Sequence, residues 1–325
     1  MGQSTSLIMY RNSAQRIAQS DVKQLLDAIV ADTRAAVATV LEHAKSPRAV
    51  APPTDSRSKA VLDAVQQLPA GYRNKLLAVS TSLHTPPLPT PRRTSGLNVL
   101  RAGIQPAAAA PTPHAQLKMR VTKIECVSDT RELGKDEIQL GGQATMIATA
   151  ADGTLTTPVD SGTTAPIALG KFKSGDQKAL SLVLNTFNLR DAAPYPRVFN
   201  VSMLLVEHDL GDPAKLVQFL KTLESLIEQK VIEKVRDFLT GLDDKNQFGA
   251  LIALVVTLLP VAINTLIGAV GKWLGDEMFA PFAAGVAMDA PDALFADGKT
   301  ATPEAVAQFS AFGGTYKVSH DFALS

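Results

Sequence analysis

The chain reads as an α+β protein: an N-terminal helical and extended arm, an antiparallel β-sandwich, and an apolar α-helical hairpin inserted before the last strand. Three observations predict this. Apolar residues recur at helical spacing from about residue 20 to 45 and again over 213–240. From 116 to 207 the repeat changes to two, in short runs separated by turn residues. Finally, 24 consecutive residues, Phe248 to Gly271, carry no charge.

Composition narrows the class. The 325 residues leave room for about two domains at ~150 residues each. With 46% hydrophobic residues and a mean hydropathy of +0.08, a sizeable core can be buried. Wholesale disorder and a polytopic membrane protein are excluded. The 32 basic and 31 acidic residues give +1, so no nucleic-acid partner is expected. A single cysteine excludes a disulfide framework and any multi-cysteine zinc site. The even balance hides a split: residues 1–115 hold 13 basic and 6 acidic residues, the remainder 19 and 25. That asymmetry marks a basic arm on an acidic body.

Met1-Gly2-Gln3-Ser4-Thr5-Ser6 fits the Met-Gly-x-x-x-Ser pattern of N-myristoylation. It does not open a secretory signal, because Leu7–Tyr10 is short and no basic residue precedes it. The expectation is a protein without a cleavable signal, cytoplasmic before any export, and secreted or membrane-associated afterwards by another route.

Ser20 is placed as an N-cap, and Val22, Leu25, Leu26, Ile29, Val30, Val37, Val40 and Leu41 follow at helical spacing until Pro47. A linker with Pro47, Pro52 and Pro53 leads to two weaker helical stretches near 58–67 and 72–83. From 85 to 115, seven prolines, an alanine run and Arg92-Arg93 predict an extended tether. Leu117, Met119 and Val121 then alternate with polar residues. The apolar phase shifts to Ile124 and Cys126, which predicts a bulge. Further strand-like runs are 138–140, 144–148, 167–172, 180–184 and 199–205. Gly141-Gly142, Asp152-Gly153, Ser161-Gly162 and Ser174-Gly175-Asp176 between them carry turn chemistry. Asp212-Pro213 is a strong helix start, and Leu216, Phe219, Leu220, Leu223, Leu226, Ile227, Val235, Phe238 and Leu239 form one stripe ending at Gly241. Beyond 279 the chain reads as loop until Tyr316, Val318, His320, Phe322 and Leu324 alternate as a last strand. The expected division is a helical region 1–84, a Pro/Ala-rich linker 85–115, a sandwich from 116–212 plus 314–325, a helical insertion 213–279, and a loop-rich segment 280–313.

The inventory for catalysis is thin. There is no His-Glu-x-x-His, Gly-x-Ser-x-Gly, Walker or dinucleotide pattern, and five histidines are scattered. Cys126 reads as a small core residue. No catalytic residue is expected, and the chain is read as a non-enzyme.

Two acidic loops carry more. One runs from Val127 to Ile138 and includes Asp129 and Gly134-Lys135-Asp136-Glu137-Ile138; the other holds Glu207-His208-Asp209 and Asp212. These two segments resemble the paired loop motifs of C2 domains, the calcium- and lipid-binding β-sandwiches, over about 116–212 and the final strand. The resemblance implies Ca²⁺ as a cofactor, held by Asp129, Asp136, Glu207, Asp209 and Asp212, because Ca²⁺ takes six to eight oxygens from loops at one end of a sandwich. It also implies a lipid bilayer as partner.

The uncharged run is long enough for a hydrocarbon core, which needs ~20 residues. Phe248, Leu251, Ile252, Leu254, Val255, Leu258, Leu259, Ile263, Leu266 and Ile267 would enter lipid, with Trp273 at the interface. Pro260 and Asn264 argue for a kink or re-entrant turn. Two functions follow. In the first, a toxin-like secreted or injected effector docks through the sandwich and inserts the hairpin, with the basic arm engaging secretion machinery. In the second, a structural or packaged cargo or assembly protein keeps the hairpin as buried core and forms homo-oligomers through helices 20–45 and 213–240.

Overall fold

A computed structural model describes residues 19–78, 100–102, 113–130, 135–148, 159–207, 213–240, ten positions between 254 and 267, residue 279, and residues 281–295 and 298–325. Helices α1 (Gln19–Lys45), α2 (Ser56–Gln67) and α3 (Ala70–Ala78) come first. The strands follow: β1 (Leu100–Ala102), β2 (Gln116–Ser128), β3 (Asp136–Ala148), β4 (Val159–Phe172), β5 (Gln177–Asn188) and β6 (Arg197–Glu207). After α4 (Pro213–Thr240) come β7 (Phe282–Met288), β8 (Ala305–Ala311) and β9 (Gly314–Leu324).

The strands form two sheets. One has the order β1-β7-β6-β3-β4, antiparallel except for the parallel β1–β7 pair; the other is antiparallel with the order β5-β2-β9-β8. Their facing side chains share one core, in which Leu117, Met119, Val121, Leu140, Val201, Met203 and Val318 meet. Phe187 of one sheet packs edge-on against Phe199 of the other, with centroids 4.9 Å apart. The architecture is therefore sandwich-like. The expected bulge in β2 is present, as register shifts between Val121 and Lys123 against both neighbours.

A third layer of helices covers the outer face of the five-stranded sheet. Every residue of β6 is buried, because its alternate side chains meet different layers: Phe199, Val201, Met203 and Leu205 point into the sandwich, while Val198, Leu204 and Val206 meet the helices. Helices α1, α2 and α4 send their apolar stripes into this second core. Asp55 caps α2, its carboxylate accepting from the Ser58 N–H at 2.8 Å. Lys234 of α4 pairs with Asp32 of α1 at 2.8 Å. Residues 19–78 thus pack on the sandwich, where composition suggested an arm apart from it.

Several local expectations are corrected. Gly141-Gly142 is no turn but the middle of β3; a Cβ on Gly142 would lie 2.6 Å from Asn185 Oδ1 and 2.8 Å from Leu184 Cγ. Glycine is there because β5 comes close. Ser161-Gly162 likewise lies inside β4, beside a register shift against β3. Ser174-Gly175-Asp176 is a turn, with Gly175 at φ 90°, but it joins β4 of one sheet to β5 of the other. The segment read as loop, 280–313, contains β7 and β8. The alanines of Phe282–Met288 gave no strand signal, yet small side chains suit a strand covered on both faces. Leu100–Ala102, within the stretch read as tether, forms β1 beside β7. Asp152-Gly153 lies outside the described residues.

Candidate functional site

The first acidic loop and the end of β6 meet at one end of the sandwich. Asp136 opens β3 and Glu207 closes β6, the register pairing Ile138 with Glu207. Both carboxyls are buried. Thr130 joins them: its N–H donates to Asp136 Oδ2 at 2.7 Å, and its hydroxyl lies 2.8 Å from Asp136 Oδ1 and 3.2 Å from Glu207 Oε1. Tyr316 of β9 donates its phenol to Asp136 Oδ2 at 2.5 Å. Burial, then donation to Asp136, pushes the Tyr316 phenol far above its ordinary value. It stays a proton donor at any physiological pH. Cys126, paired in register with Tyr316, is buried, and burial pushes its thiol up. A thiol held protonated is a poor nucleophile.

Two of the five expected calcium ligands, Asp136 and Glu207, are thus neighbours. Asp129 stands beside them but turns to Ser174, whose hydroxyl donates to its carboxylate and holds it below the usual carboxylate range. Asp209 and Asp212 lie outside the described residues. Among the described residues, no group of three or more His, Cys, Asp or Glu side chains is placed to hold a metal ion. Both oxygens of Asp136 already accept protein hydrogens. What is described of this cluster ties β2, β3, β6 and β9 together.

Of the expected insertion residues, Leu254, Val255, Leu258, Leu259, Ile263, Leu266 and Ile267 are described, in helical conformation. They are 0–6% exposed and belong to the core shared by α1, α2, α4 and the sheet. Phe248, Leu251, Ile252 and Trp273 lie outside the described residues. Among the described residues, no helix is long and apolar enough to cross a membrane.

Two polar features were not anticipated. Glu224 and Glu228, one turn apart on α4, are buried against the sheet. Glu224 Oε1 accepts from Ser202 at 2.7 Å and Asn200 at 3.2 Å, and Glu228 accepts from the Thr145 hydroxyl. The signal was present: both glutamates interrupt the apolar stripe of α4, and Asn200 and Ser202 alternate with apolar residues in β6. The other feature is Arg197, fully buried at the start of β6. Its guanidinium pairs with Asp191 at 2.6 Å, donates to the carbonyls of Asn188, Asp191, Ala193 and Pro194, and lies 4.1 Å from the centre of the Tyr195 ring. A buried charge requires such a full set of partners, and these fold residues 188–197 around it.

The fold and the two clusters define a class no finer than a β-sandwich-like domain with a covering helical layer. No family model, curated protein or solved structure matches the chain.

Proposed function

We propose that this chain is a non-catalytic structural protein of the packaged-cargo or assembly kind, in which the apolar run is a permanent part of the core. One observation carries the reading: Leu254, Val255, Leu258, Leu259, Ile263, Leu266 and Ile267 are buried on the same core as α1, α2, α3, α4 and the sheet. Moving them into lipid would gain little, since hydrocarbon and a protein interior are about equally apolar. The cost falls on what they leave behind. Leu220, Leu223 and Ile227 of α4 and Val198, Leu204 and Val206 of β6 would meet water, at roughly 1.5–3 kcal/mol for each large side chain.

The apolar stripes of α1 and α4 are used within this chain, so contacts to other molecules fall to other surfaces. The basic, proline-rich sequence between 79 and 112 is the segment suited to attachment. The two sheets, with Asp136 and Glu207 at one end, support a C2-like kinship; the saturation of Asp136 by Thr130 and Tyr316 weighs against calcium as its purpose. Dye release from anionic and zwitterionic phospholipid vesicles, with Ca²⁺ and with chelator, tests the reading. The full chain should release no dye, and a 248–271 deletion should fail to fold. Release that depends on that segment would overturn the proposal in favour of a membrane-acting effector.

A further inference from the structure

Where α2 and α4 cross the outer face of β3 there is a cavity of about 190 Å³, lined among others by Arg57, Gln143, Thr145, Lys221, Ser225 and Glu228. We propose that it is a binding site for a small zwitterion, a free α-amino acid or a compound of the same charge pattern. The elements build it from residues of fixed spacing. Gln143 and Thr145 are alternate residues of β3 and so share its outward face, while positions 221, 225 and 228 lie along one face of α4. Arg57 stands in the first turn of α2, fixed there by the Asp55 cap.

Size restricts the occupant first. The cavity measures about 190 Å³. That is below the roughly 300–1,000 Å³ of sites for drug-sized ligands.

Charge restricts it further. Arg57 and Lys221 are half-buried, and among the described residues the Arg57 guanidinium donates to the Ser225 hydroxyl. A guanidinium has five N–H donors in a planar fork suited to a carboxylate. Glu228, fully buried, brings a carboxyl to the same cavity, held to the sheet by Thr145. A simple anion entering here would meet Glu228, and a simple cation would meet Arg57 and Lys221. A molecule with a carboxylate and an ammonium a few bonds apart satisfies both, and the amides and hydroxyls of the lining supply neutral hydrogen bonds.

Isothermal titration of the full chain tests this, with L-alanine, L-serine and L-glutamine as probes and propionate and ethylamine as single-charge controls. At least one amino acid should bind saturably and raise Tm, and each control should bind more weakly. Arg57→Gln should weaken binding by about tenfold or more, as expected for a lost hydrogen bond to a charged group. Ala60→Trp, at an exposed position on the cavity lining, should abolish binding while leaving the Tm of the unliganded protein unchanged. Absence of binding by all three amino acids would overturn the proposal. So would propionate binding as tightly as the best amino acid, or unchanged affinity in both variants.

Discussion

His320 of β9 is 3% exposed, and its ring stands edge-on to Phe282 with centroids 5.7 Å apart. Burial disfavours the imidazolium and lowers its pKa from the ordinary 6.5, against weaker opposing effects of the Val318 carbonyl, Asp321 and Glu304. The sign follows from linkage: below pH 6.5 the unfolded chain takes up this proton before the folded one does. Stability is therefore whole above that pH and is lost as pH falls toward the folded value, by at most about 1.4 kcal/mol per pH unit. Urea denaturation at stepped pH should show this slope in the natural chain and lack it in His320→Gln; identical slopes would remove the assignment. The same scale shows what alternation can reveal. His320 breaks an apolar series in plain view, but a buried histidine and a ligand look alike until Phe282 is seen beside it.

Among the elements, β3 is the most informative. Its two central glycines read as a turn because glycine pairs usually mark one, whereas here Gly142 lets β5 approach and Gly141 lies against β4. Gly142→Ala would press a methyl group against Leu184 and Asn185. Overpacking of this kind costs about 1–3 kcal/mol, and the urea midpoint should fall accordingly; an unchanged midpoint would mean the strands can separate freely. Helix boundaries were more legible. The extents of α1 and α4 follow from a 3.6-residue stripe and from Pro47 and Pro213 at their limits, all local facts. By contrast β7, with its alanines and a glycine, has no local preference for a strand, and pairing with β6 and β1 makes it one.

For the whole molecule, the question is which surface receives the apolar run. If the run is core, Leu258→Ala should cost about 2–5 kcal/mol, as truncation of a buried leucine does. Chemical denaturation of the full chain measures this directly. A loss under about 0.5 kcal/mol, the range of exposed positions, would show that Leu258 does not pack as described. The fully buried Glu228 belongs to the same scale, since its partner Thr145 comes from another layer.

By itself the sequence determined the elements whose signals are local: the helix stripes, the alternation and bulge of β2, the final strand and the proline-marked helix ends. It also exposed the acidic residues that cluster at one end, Asp129, Asp136 and Glu207. Tertiary structure alone decided what these residues touch. Twenty-four uncharged residues are compatible with lipid or with a protein interior, because the two media are equally dry; only the tertiary structure sets the described, buried ones among them beside α1, α2, α4 and β6. Asp136 could have been a ligand or a strut, because a carboxylate accepts from a cation or from a hydroxyl. In the fold Thr130 and Tyr316 converge upon it, and a hydrogen bond between residues 180 apart leaves no trace in local spacing.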